Sequence, residues 1–246
     1  MTPATRDEWM TVAAARLLRD RCVCFVGIGL PSAACNLARL THAPDIVLIY
    51  ESGTIGTRPD VLPLSIGDGE LADTAAFVVP LPEVFSHYLQ GGRVDAGFLG
   101  AAQVDRFGNL NTTVIGPYDA PTTRLPGAGG APEIAAHARE TFVMMKASRR
   151  SFVERLDFRT TAGRPAALIT DFGILHPHGT TRELRLTALF ADATVEEARN
   201  AVGWPLAVAD EVAQVPPPTP HELQTLRALH ARTREAHARP VALPGI

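Results

Sequence analysis

Apolar and polar positions along this chain switch between a helical and an extended period, and the switches mark out its elements. Near the start, Trp9, Val12, Ala13 and Leu17 recur at helical spacing, and Thr5 with Glu8 three residues on is a capping box. A first helix is predicted over residues 6–19. A strand over 21–26 and a helix over 32–40 follow. Residues 46–50, Ile-Val-Leu-Ile-Tyr, then form a continuous apolar run. Such a run is the mark of a strand buried on both faces, the habit of parallel sheets. Residues 58–70 are rich in Pro and Gly and too irregular for a helix, with a turn at Gly67-Asp68-Gly69. A short strand over 75–79, a helix over 82–90 stopped by Gly91 and Gly92, and a buried strand over 94–99 come next. Residues 105–109 predict a turn leading into a strand over 110–115. A helix beginning at Pro132 and Glu133, and a strand over 141–145, continue the alternation.

Beyond residue 150 the pattern changes. Residues 166–175 and 184–191 predict two strands of a hairpin-like extension. Thr194 with Glu197 caps a short helix, and Thr219, Pro220 and Glu222 begin a last helix running towards Arg232. Residues 216–218, all proline, read as a linker, and residues 240–246 as a loose tail. The alternation up to residue 150 predicts an α/β fold, a mostly parallel open sheet flanked by helices. We expect a single domain over 1–246, with a core over 5–200 and a C-terminal extension over 201–246.

Composition narrows the function classes. Hydrophobic residues make up 46% of the 246 and charged residues 20%, which describes a globular chain with a sizeable core. A net charge of −3 offers no broad basic face for nucleic acid. No apolar run reaches membrane-spanning length, and the first residues lack a signal-peptide pattern. Cys22, Cys24 and Cys35 are an odd set with C-x-C spacing, so they read as small buried hydrophobes rather than a metal site, and a reducing cytoplasm fits. His42, His87, His137, His176 and His178 show no catalytic spacing.

The candidate chemistry lies at turns. Glu51-Ser52-Gly53 stands directly after the apolar strand, where α/β sheets place their ligands. Glu51 is therefore either a reactive carboxylate or an ordinary strand-end acid in a salt bridge or turn. Gly53 lets a backbone or a ligand come close. Gly27-Ile28-Gly29 sits between a strand and a helix, a layout open both to a plain tight turn and to an anion on backbone amides. It lacks the third glycine of a dinucleotide fingerprint, with Ser32 in that place. Three glycines in four positions, Gly127, Gly129 and Gly130, run into a helix and cost chain entropy. They point to backbone amides that approach a ligand. Lys146, Arg149 and Arg150 form the one short basic cluster.

Glu51-Ser52-Gly53, residues 26–31 and residues 127–131, in that order, resemble the β subunit of family I coenzyme A transferases. The resemblance extends through residues 91–95, 97–105 and 152–158, covers roughly residues 8–200, and is strongest to the glutaconate and 3-oxoadipate CoA-transferase branch. It implies an enzyme without a permanently bound cofactor, acting on a coenzyme A thioester together with an α subunit. Glu51 would be the nucleophile, and Gly127, Gly129 and Gly130 would supply oxyanion or CoA contacts, Gly129 and Gly130 foremost. Gly27, Gly29, Ser52 and Gly53 would shape the cleft. Lys146 and Arg149 would either meet CoA phosphates or form an exposed salt-bridged cluster. Succinyl-CoA is the expected donor and a dicarboxylic or 3-oxo acid the acceptor, with no metal, nucleic acid or membrane involved. The rivals are a steroid-ring-degrading acyl-CoA hydrolase on the same scaffold, whose chains carry a different sequence at the strand-end glutamate, and a non-catalytic CoA-ester-binding subunit. A sugar-phosphate isomerase would need a further acid/base set that the sequence does not offer.

Overall fold

Ten strands of the described residues join one sheet with a parallel centre, flanked on both sides by antiparallel pairs and closed at one edge by a further parallel strand. The computed structural model describes residues 2–238, so the expected loose tail lies outside the described residues. In chain order the elements are α1 (Arg6–Ala15), β1 (Val23–Phe25), α2 (Leu30–Leu40), β2 (Val47–Ile49), β3 (Thr54–Ile55), α3 (Gly69–Asp73), β4 (Phe77–Val78) and α4 (Leu81–Glu83). A π-helical stretch (Val84–Leu89) continues α4. Then follow β5 (Ala96–Leu99), β6 (Gln103–Val104), β7 (Leu110–Asn111), β8 (Val114–Ile115), β9 (Thr123–Arg124), α5 (Ala131–His137) and β10 (Glu140–Met144). The last third holds β11 (Ala167–Ile169), β12 (Gly173–His178), β13 (Glu183–Leu189), α6 (Val195–Ala201), β14 (Ala207–Gln214) and α7 (Pro220–Ala238).

The sheet order is β14-β13-β12-β11-β10-β5-β1-β2-β3-β4. The five strands from β11 to β2 are all parallel, so their carboxyl ends lie along one edge. Both faces of this centre are covered, as its apolar strands require. Register partners Cys24 and Ala96 point to one side, and Cys24 Sγ lies 3.6 Å from Cys35 of α2. Register partners Phe25 and Gly97 point to the other. There Phe85 of the π-helix approaches Phe25, and Ile134 of α5 packs so tightly that a Cβ on Gly97 would fall 2.5 Å from it. All three cysteines are buried and free, and burial pushes the Cys22 thiol up to about 11, which suits an inert core residue.

Several expectations need correcting. Arg21 adopts φ +61°, which no strand residue does, so β1 begins only at Val23. The stretch 166–175 is two strands. The Thr170 hydroxyl accepts from the amides of Phe172 and Gly173 and turns the chain, leaving β11 in the parallel centre and β12 as the first antiparallel strand. The stretch 110–115 likewise divides, because Asn111 accepts from the amide of Thr113 and donates to Val114 O. Asp68 is a helix cap rather than a turn residue, accepting from the amides of Glu70 and Leu64 at the start of α3. The helix over 82–90 is mostly π-helical, and Gln90 donates to Phe85 O five residues back.

The capping boxes at Thr5/Glu8 and Thr194/Glu197 both form. The described residues beyond 200 pack into the same structure: Trp204 stacks on Phe152, β14 pairs parallel with β13, and α7 lies on α1 and α2. Arg16 forks onto Glu222, and Arg227 onto Glu8, fixing α7 in place.

Candidate active site

β2 ends at Ile49, and the chain reverses at once. The Tyr50 amide donates to Thr54 O at 3.1 Å and the Gly53 amide to Tyr50 O at 3.0 Å, so Glu51 and Ser52 form the tip of a tight hairpin between β2 and β3. Gly53 permits this turn twice over. Its φ of +97° is left-handed, and a Cβ there would lie 2.0 Å from the carbonyl oxygen of Val79. The close approach is thus another backbone, not a ligand. Beneath the tip, the buried Tyr50 hydroxyl meets Ser32 Oγ at 2.9 Å, and Asn36 donates to Ser32 O, so the hairpin root is anchored to α2. Burial pushes the Tyr50 phenol well above its ordinary value and keeps it neutral.

The Glu51 side chain is half-buried and, among the described residues, has neither a hydrogen-bond donor nor an ion-pair partner. It faces the glycine run before α5. A Cβ on Gly129 would lie 3.9 and 4.0 Å from the two Glu51 carboxylate oxygens, and one on Gly130 would lie 3.5 Å from its Cδ. The Gly130 position would also put that atom 2.8 Å from the Phe85 ring, so a larger residue would have to displace the ring. Gly129 has φ +48° and Gly130 φ −86°, the left-handed then right-handed sequence that turns successive amides to one side. The Gly127 amide donates to Thr112 O at 2.8 Å, whereas the amides of Ala128, Gly129 and Gly130 donate to nothing among the described residues. Gly127, at φ +104°, therefore shapes the loop without an amide to offer.

A cavity of about 300 Å³ holds these groups, lined by Glu51, Gly27, Gly100, Gly127, Gly129 and Gly130 together with apolar side chains. It opens at the carboxyl ends of β1, β2 and β5, where ligands of α/β sheets bind. Of the remaining residues singled out from the sequence, Gly29 caps α2 outside the cavity lining, at φ +87°. Ser52 Oγ lies 3.5 Å from Thr54 Oγ1. Lys146 pairs with Asp7 at 2.8 Å. Arg149 donates to Asn200 O and lines a separate cleft with Arg199 and Trp204. Sequence reasoning missed Ile66, Phe98, Thr112 and Ile134 in the lining, and Phe85 behind Gly130. Thr112 Oγ1 is buried without a partner. No group of three His, Cys, Asp or Glu that could hold a metal occurs among the described residues, and none of their helices is long and apolar enough to cross a membrane.

An unengaged carboxylate opposite unengaged amides, in a small apolar cavity, is equipment for attack on a carbonyl whose oxygen becomes negative. The fold and site define an α/β protein built for acyl chemistry. Residues 8–208 match the coenzyme A transferase family, and the chain belongs to it. It is 54% identical to the B-type subunit of the 3-oxoadipate CoA-transferase of Pseudomonas knackmussii, across 96% of this chain and 97% of that one. It is 30% identical to the B-type subunit of the glutaconate CoA-transferase of Acidaminococcus fermentans, across 92% of each. The crystal structure of that transferase superposes with a TM-score of 0.85, covering 91% of this chain and 94% of that one at 28% identity. A decarboxylase, AibA/AibB, also superposes at 0.85, with 29% identity and coverage of 94% and 98%. Fold likeness by itself thus spans more than one reaction.

Proposed function

We propose that the chain is the B-type subunit of a CoA-transferase that works with an A-type subunit and moves CoA from succinyl-CoA to a 3-oxo dicarboxylic acid of 3-oxoadipate type. The observation that carries the reading is the bare Glu51 carboxylate set against the bare amides of Gly129 and Gly130. The 54% likeness to a chain of a 3-oxoadipate CoA-transferase supports the choice of acceptor.

The steps follow from the groups present. Glu51 attacks the thioester carbonyl of the donor, the carbon–sulfur bond breaks, and CoA leaves as the thiolate with a mixed anhydride on Glu51. The thiolate then attacks the glutamyl carbonyl and expels succinate, leaving a glutamyl-CoA thioester. The acceptor carboxylate runs the same two steps backwards. A carboxylate suits this role because its anhydride is about as reactive as the thioester, so neither step is deeply downhill. Each tetrahedral intermediate carries an oxyanion, which the Gly129 and Gly130 amides would receive; one such donor is worth roughly 3 kcal/mol. Apolar lining from Phe98, Ile134 and Ile66 keeps water from the anhydride. Arg149, sharing its cleft with Arg199, is the cation offered to CoA phosphate, while Lys146 is occupied by Asp7.

The test is to incubate the two-subunit complex with succinyl-CoA, add borohydride, and map the peptides by mass spectrometry. Reduction of Glu51 to its alcohol, dependent on the CoA ester, is expected. CoA release without that label would turn the assignment to hydrolysis. No label and no turnover across several acyl-CoAs would leave a non-catalytic, CoA-ester-binding chain.

A further inference from the structure

The Glu51 cavity holds one polar side chain that the reaction steps leave unused. Of the residues lining it, only Glu51 and Thr112 have polar side chains; all the others are Gly, Ala, Val, Leu, Ile, Phe or Pro. Thr112 stands in the connection between β7 and β8, and its main chain is held on both sides. Its amide donates to Thr160 Oγ1 at 2.9 Å, and its carbonyl accepts from the Gly127 amide at 2.8 Å. The second bond joins Thr112 to the loop that brings Gly129 and Gly130 to Glu51, so it shares a wall of the cavity with their amides. The neighbouring hydroxyls are engaged, Thr113 Oγ1 meeting Thr160 Oγ1 at 2.6 Å. Thr112 Oγ1, by contrast, is buried without a partner among the described residues.

A buried hydroxyl without a partner is costly, and natural structures keep few of them without a use. No hydrogen bond holds this one in its rotamer, so rotation about χ1, which exchanges hydroxyl and methyl, can present it to the cavity without losing a bond. The lining decides what it meets there. It contains no Lys, Arg or His, so it suits a neutral acceptor atom rather than a carboxylate. The oxygen of the reacting carbonyl is assigned to the glycine amides. In a 3-oxo acid the next acceptor is the oxo oxygen, two carbons along the chain. We propose that Thr112 is a specificity-determining residue whose hydroxyl donates to the 3-oxo oxygen of the acceptor acid. An acid without that oxygen leaves the hydroxyl buried and unpaired, so Thr112 favours 3-oxo acids over plain dicarboxylic acids of the same length. The inference deepens the transfer reading above and rests on it.

The experiment measures transfer by the two-subunit complex from succinyl-CoA to 3-oxoadipate and to adipate. The wild type, which needs no variant to fold, is expected to prefer 3-oxoadipate in kcat/KM by about tenfold or more. Thr112→Val, nearly isosteric, is expected to lower that preference by about tenfold, and Thr112→Ser to restore it. The Thr112→Val chain should melt no lower than wild type, because no hydrogen bond is deleted. No preference in the wild type, or an unchanged preference in Thr112→Val, would overturn the proposal. So would equal losses on the two acids, which would place the hydroxyl at the reacting carbonyl or in the fold. Borohydride labelling of Glu51 by succinyl-CoA, run on the same samples, separates the two readings. Label in both proteins with an unchanged preference removes the role of Thr112 alone. No label in the wild type removes the transfer reading, and this inference with it.

Discussion

The two edge strands of the sheet solve the same problem in opposite ways. β14, at one end, is eight residues long and carries Asp210, Glu211 and Gln214, so charge blunts its open edge. β4, at the other, is two residues long, apolar and bare. The strands inside them differ in the same sense. Leu184, Leu186 and Leu189 of β13 are buried within this chain, whereas the β2–β3 hairpin ends in a carboxylate that nothing engages. Both margins are built on antiparallel pairs added to one parallel centre, β11–β12–β13 on one side and β2–β3–β4 on the other, with β14 then added parallel to β13. One is finished by the chain itself and supplies stability. The other is left open, and the candidate chemistry sits there.

That division is broken most severely at Glu51. Replacing it by Gln keeps the shape and removes the proposed nucleophile. Transfer in the reconstituted complex should fall by about 10⁴-fold or more, as when a nucleophile is deleted elsewhere. Melting of the variant chain should stay within about 2 °C of wild type, because a half-exposed acid without partners contributes little to folding. A large drop in melting temperature would show that the open margin also carries stability, and the contrast would fail.

A matched pair of glycines sharpens the comparison. A Cβ on Gly53 would lie 2.0 Å from Val79 O, and one on Gly173 2.1 Å from Ala188 O, so equal clashes exist in the two margins. Gly53→Ala and Gly173→Ala should each destabilise by about 3 kcal/mol in denaturant titrations, since backbone has to move in both. At a temperature where both remain folded, only Gly53→Ala should also reduce transfer, by displacing the Glu51 turn. Equal loss of activity from the two would mean that strain spreads through the whole sheet.

How much of this was legible in the sequence follows the same line. Glu51, the Gly127–Gly129–Gly130 run and both capping boxes announce themselves, because a strand-end acid, clustered glycines and a Thr-x-x-Glu spacing are local signals. The parallel centre was legible from its apolar runs. The turn at residues 170–172 was hidden by the apolar stretch around it, although Thr170 and Gly173 carry the local chemistry of a turn. β14 was missed because its pairing is decided by β13 more than by its own weak pattern. A strand of two residues such as β3 is too short for periodicity to register, whereas β4 lies within the short strand expected over 75–79. The lining by Ile66 and Thr112, and the ring of Phe85 behind Gly130, come from segments far apart in sequence and appear only on folding.

The smallest effect tests how the closed side is held. Burial alone would raise the Glu222 carboxyl, but the Arg16 fork and the Thr219 amide and hydroxyl outweigh it and bring it down to about 2. An acid whose folded value lies below its unfolded one adds stability above the unfolded value, near 4.5, and loses it as pH falls towards 2. The pair is partly exposed, so solvent screening cuts the contribution to about 2 kcal/mol. Denaturant titrations at pH 7 and pH 3 should therefore show a loss in the wild type that Glu222→Gln reduces by roughly that amount. Glu222→Gln at pH 7 should begin from the lower value, with transfer at Glu51 unchanged, because α7 rests on α1 and α2 rather than on the open margin. A pH dependence identical in the two proteins would place the acid sensitivity elsewhere, in carboxylates such as Glu8, whose own value Arg227 holds below the usual range.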